Sequence, residues 1–145
     1  MDSTYIHPKL GELYPEDVDW QTDKATVPFS NTPIEVCFAN GSKDGPWPAA
    51  LTGYDWIESH WSEVLGLIQD QAFDFYSPYA DAVAGVPVFA SPEKLWGTEE
   101  LLCVRVSTKD DFEVTLRFKW QEKEDPHVIT FYVEKGRCET HSVDG

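Results

Sequence analysis

From residue 57 to residue 76 the apolar side chains Ile57, Trp61, Val64, Ile68, Ala72 and Phe75 recur at spacings of three and four. At 100° per residue they fall on one stripe, so the segment is predicted to be an amphipathic helix. Glu58, Ser62, Glu63, Gln69, Asp70 and Asp74 fall on the opposite side. Gly66 interrupts the pattern at a cost of roughly 1 kcal/mol against Ala, so it either admits close packing or divides the segment into two shorter helices. Helical composition begins near Ala49, after a turn-rich stretch over residues 40–48.

Elsewhere the period shortens to two. Phe112, Val114, Leu116, Phe118 and Trp120 alternate with Glu113, Thr115, Arg117 and Lys119, the pattern of a strand with one buried and one wet face. Residues 101–107 and 128–133 have strand composition, and a short strand is expected near residues 138–141. The connections over residues 108–111 and 121–127 are short enough to join antiparallel neighbours. Near the N-terminus, residues 25–29 and 34–38 read as a β-hairpin, with Pro28 placing its first strand at a sheet edge. Residues 1–24 carry only scattered apolar positions and read as an irregular lead-in. Pro78, Gly85 and Pro87 close the helical region, and Ser91-Pro92-Glu93 is a cap followed by proline at the first position of a single helical turn. The sum is one α+β domain over residues 1–145: an antiparallel sheet of about five or six strands packed on one principal helix or a broken helix pair. The stripe of Ile57, Trp61, Val64 and Ile68 is expected to bury against the alternating face of residues 112–120.

Composition narrows the class. A chain of 145 residues, 41% of them hydrophobic and 14% aromatic, has enough apolar material for one core and is not disordered as a whole. Its first residues lack the basic and apolar regions of a secretion signal, and no apolar run reaches the roughly 20 residues that cross a bilayer, so a soluble, cytoplasmic protein is expected. A net charge of -15 repels nucleic-acid phosphates and anionic lipid heads. The basic residues concentrate in the last third but are interleaved there with acids, seven against nine over residues 101–145, so no basic patch results. Neither nucleic acid nor membrane is an expected partner.

Candidate chemistry is sparse. No stretch matches a phosphate-binding glycine loop, a nucleophile elbow, a zincin helix or an EF-hand, and no catalytic residue is assigned. Cys37, Cys103 and Cys138 are odd in number, far apart and set in apolar or strand-like contexts, so they read as free thiols in a reducing compartment. His7, His60 and His141 have no metal-ligand spacing, and no metal or organic cofactor is expected. The cluster from Trp120 to His127 brings carboxylates beside an imidazole. It reads first as a polar turn between strands, and its alternative is the site of a small enzyme or ligand-binding domain.

Residues 46–100 hold nine acidic residues against one base, Lys94. Such a field speeds encounter with a cationic surface, and it equally keeps an outward helix face solvated. Phe73 shares the helical side of Glu58 and Asp70 and could anchor a partner there. Glu58, Glu63, Asp70, Phe73 and Asp74 are therefore the candidate partner-binding residues, and a basic protein is the expected partner.

The order of elements adds a resemblance. A hairpin, a helix ending in Phe73-Asp74-Phe75-Tyr76, then strands with Trp120 followed by an acidic turn at Asp125-Pro126-His127, resembles small uncharacterised bacterial α+β proteins similar to the immunity proteins of polymorphic toxins. In those proteins the last hairpin carries Trp-Asp-x-Glu-His-Gly; here Asp125-Pro126-His127 stands for Glu-His, and Val128 for the glycine. The resemblance implies a stoichiometric binder that neutralises a toxin domain rather than a catalyst, and assigns no individual residue.

Overall fold

The computed structural model describes residues 4–82, 88–97, 99–118 and 128–144. Among the described residues, eight strands follow one another across a single sheet in chain order. They are β1 (Tyr5–His7), β2 (Gly11–Glu16), β3 (Asp19–Ala25), β4 (Ile34–Phe38), β5 (Glu99–Thr108), β6 (Asp111–Phe118), β7 (Val128–Glu134) and β8 (Arg137–Asp144). The three helices among the described residues, α1 (Pro48–Ser59), α2 (Trp61–Ala82) and α3 (Pro92–Trp96), are all inserted between β4 and β5. Every neighbouring pair of strands is antiparallel except β4 and β5, which run parallel with Val36 opposite Val104. Antiparallel neighbours need only a turn, whereas a parallel pair needs a long crossover, and the three helices are that crossover.

The expected antiparallel sheet of about five or six strands on one principal helix or a broken helix pair is thus corrected to eight strands of mixed orientation with three helices among the described residues. The additional strands come from the N-terminal lead-in, which folds as β1, β2 and β3. In β2 only Leu13 is buried, so the period-two signal on which a strand reading depends is missing. The partner of β4 also differs from the one expected. Residues 26–29 are not a strand; β4 pairs with β3, setting Trp20 opposite Phe38 and Ala25 opposite Ile34. Pro28 has no N–H to offer a ladder, and the chain turns there instead, with the Ser30 amide donating to the Val27 carbonyl.

Val104, Val106, Phe112, Val114, Leu116 and Phe131 share one sheet face and bury together with Ile57, Val64 and Ile68 of the helices in one core. The opposite face is polar. Arg105 pairs with Asp19, Arg117 pairs with Glu100, and the Thr115 and Thr130 hydroxyls meet at 3.1 Å.

The break between α1 and α2 falls at His60, six residues before the glycine that raised the question. The His60 amide donates to the Trp56 carbonyl, closing α1, while its own carbonyl accepts the amides of Glu63 and Val64, opening α2. Its ring stacks on Trp56 with centroids 4.4 Å apart. The re-aimed α2 buries Val64, Ile68, Ala72 and Tyr76. Trp61, at the joint, is only half-buried and stacks on Phe29 at 4.4 Å. The predicted stripe is therefore buried at Ile57, Val64 and Ile68, with Trp61 as its rim. The expected turn after Ser91 is present as α3, where the Ser91 hydroxyl accepts the Lys94 amide.

Candidate functional site

α2 carries Glu63, Asp70, Asp74 and Asp81 and no lysine or arginine. Glu63, Asp70 and Asp74 are exposed, and at 100° per residue the three lie within one narrow sector. Asp70 and Asp74 are four residues apart, a like-charge spacing that weakens a helix by roughly 0.2–0.5 kcal/mol. Helix stability therefore does not explain them. Glu63 also borders a cavity of about 250 Å³ shared with Trp56, Leu67, Lys109 and Asp110.

The other two candidates are placed differently. Phe73 is half-buried, with part of its ring against the core. Glu58 belongs to α1 and is diverted to Lys9, whose Nζ lies 3.1 Å from Glu58 Oε1 and 3.3 Å from Asp55 Oδ1. Beside it, burial first and then the Glu58 charge push the Tyr54 phenol far above its ordinary range. The Tyr54 hydroxyl and Glu58 Oε2 are both buried without a hydrogen bond of acceptable geometry.

Two buried ionisable groups had no functional reading in the sequence. His7, at the end of β1, is buried between Phe38 and Tyr54. Its Nδ1 accepts the amides of Lys9 and Leu10 at 3.0 and 3.2 Å, which fixes the neutral tautomer with the proton on Nε2. Glu99, the first residue of β5, is 7% exposed, and neither of its carboxyl oxygens has a hydrogen-bond partner. Burial alone pushes this carboxyl up to about 8. It lines a cavity of about 120 Å³ with Phe29, Ser30, Asn31, Thr32, Trp96, Glu100 and Leu101. The available sequence signal was alternation, since Glu99 takes the same inward parity as Leu101.

The three thiols are free. Burial, the main cause at each, pushes Cys37 up to about 11 and Cys103 and Cys138 up to about 12, the opposite of nucleophile activation. Among the described residues no cluster of three or more His, Cys, Asp or Glu could hold a metal ion. Nor is any helix among them long and apolar enough to cross a membrane. The acidic turn ending at His127, together with Trp120, lies outside the described residues.

The architecture is that of a mixed eight-stranded sheet whose helices all enter through one crossover. Within that class the chain belongs to the family described as a domain of unknown function, DUF6985, whose model matches residues 9–135. The match spans β2 through β7 and all three helices. No curated protein and no solved structure matches the chain.

Proposed function

We propose that this domain is a cytoplasmic, stoichiometric binding protein that recognises a basic protein partner through the exposed acidic face of α2. Neutralisation of a toxin domain is the form of this function that the immunity-type resemblance implies. The observation that carries the reading is the Asp70–Asp74 pair with Glu63, a single-sign field on a helix without one cationic residue. A field of that kind raises association rates with a cationic surface and does so most at low salt. The half-buried Phe73 ring gives the face an apolar spot already held rigid by the core, which limits the ordering cost of contact.

The reading is tested by affinity capture from the native host with the wild-type chain and with the folded triple variant E63K/D70K/D74K. It requires a basic protein retained by the first and lost by the second, with an association rate that falls as salt rises. Equal retention and equal low-salt association rates would remove this face from the interface.

A further inference from the structure

A carboxyl that is nine-tenths buried and has both oxygens unpaired weakens the fold that holds it. Glu99 is such a group. It lines the cavity between the loop at residues 29–32, α3 and the start of β5. Rings of Phe29 and Trp96 stand in the wall, and Asn31 and Thr32 are exposed at its rim. No lysine or arginine is among the described lining residues. The second carboxylate, Glu100, is committed to Arg117 on the neighbouring strand, which leaves Glu99 as the uncommitted acid.

These features constrain a ligand. A buried acid with no cation of its own, polar oxygens and aromatic rings favour a cation that can take the place of the acid's proton. Two bare oxygens on one carboxyl match a planar donor that presents two parallel N–H groups, which a guanidinium does and a single ammonium does not. A guanidinium is also the more weakly hydrated of the two, and it stacks on aromatic faces. Whole small-molecule pockets span roughly 300–1,000 Å³, so a cavity of about 120 Å³ holds one functional group.

We propose that the Glu99 cavity is a binding site for a single guanidinium group, with Glu99 accepting two of its N–H groups side by side and Trp96 and Phe29 flanking its plane. The site uses none of the residues of the acidic α2 face and stands or falls independently of it. Because burial holds the Glu99 carboxyl protonated at pH 7, a guanidinium that enters ionises it and releases close to one proton.

The test is calorimetric titration of the full chain with methylguanidinium at pH 7 in two buffers of different ionisation enthalpy, with amide NMR spectra recorded along the same titration. The expected result is saturable one-site binding, release of nearly one proton, shifts centred on residues 29–32 and 96–101, and at least a tenfold loss of affinity in Glu99→Gln. Nα-acetylarginine amide forms a second arm. Affinity equal to that of methylguanidinium supports an arginine side chain of a protein as the source, and binding of methylguanidinium alone supports a free guanidino compound. Absence of saturable methylguanidinium binding, shifts centred on α2, equal affinity for butylammonium, or unchanged affinity in folded Glu99→Gln would each overturn the proposal. If Glu99→Gln does not fold, the proton count and the wild-type shifts decide.

Discussion

Nδ1 of His7 accepts the backbone amide of Lys9 at 3.0 Å and so holds the turn between β1 and β2 closed from inside the core. Desolvation is the main cause that lowers the His7 pKa; Lys9 lowers it further, while Asp55 and Glu58 oppose. Protonation of Nδ1 would turn an acceptor into a donor facing two other donors.

The linkage sign follows. The unfolded chain takes up this proton near the ordinary 6.5, the folded chain only at lower pH, so stability is full above about 6.5 and falls as pH drops toward the lowered folded value. In the Glu99→Gln background, which removes that group's opposite slope over the same range, urea unfolding at a series of pH values between 5 and 7.5 should show this acid limb. His7→Asn, whose side-chain oxygen can accept the same amides, should flatten it.

Glu99 imposes the opposite slope. Its unfolded pKa is the ordinary 4.5 and its folded value is about 8, so stability falls as pH rises through this window and levels off above it. At about 1.4 kcal/mol per unit the loss is on the order of a few kcal/mol. In Glu99→Gln the stability difference between pH 5 and pH 8 should shrink by most of that amount. An alkaline slope equal to that of the wild type would place the titration elsewhere.

Two helical glycines should respond with opposite signs. A Cβ on Gly53 would lie 2.7 Å from the Thr108 carbonyl carbon and 2.8 Å from the Lys109 nitrogen, both backbone atoms that cannot rotate away. Gly53→Ala is therefore expected to cost about 1–3 kcal/mol. A Cβ on Gly66 meets nothing within 4 Å, and Gly66→Ala should stabilise the domain by up to about 1 kcal/mol. Thermal unfolding of the two variants gives the comparison directly.

Ile68 and Trp61 separate the core of the helical stripe from its rim. Ile68 is fully buried, so Ile68→Ala should cost about 2–5 kcal/mol. Trp61 is half-buried on Phe29, so Trp61→Ala should cost less than the 3–5 kcal/mol of a fully buried aromatic. A loss of about 3–5 kcal/mol or more in Trp61→Ala, read from its unfolding midpoint, would contradict the placement of Trp61 at the rim.

The amino-acid sequence by itself determined the elements whose apolar period is long and clean. The stripe at Ile57, Val64 and Ile68, the alternation from Phe112 through Leu116, the antiparallel neighbours β5, β6 and β7, and the helical turn capped by Ser91 were all legible, because each burial pattern repeats within a single element. The acidity of α2 was legible for the same reason. Tertiary structure alone decided the rest. Strands β1 and β2 bury little beyond His7 and Leu13, so backbone pairing with neighbours, which leaves no mark on side-chain pattern, makes them strands. The parallel contact of Val36 with Val104 joins residues separated by the whole helical crossover, and no local signal selects that neighbour. Glu58 was drawn to Lys9, and Glu99 was sealed beside Trp96 and Phe29, by approaches between distant segments. A carboxylate's hydration and pKa depend on what surrounds it in space, so its chemistry is settled only when the chain has closed around it.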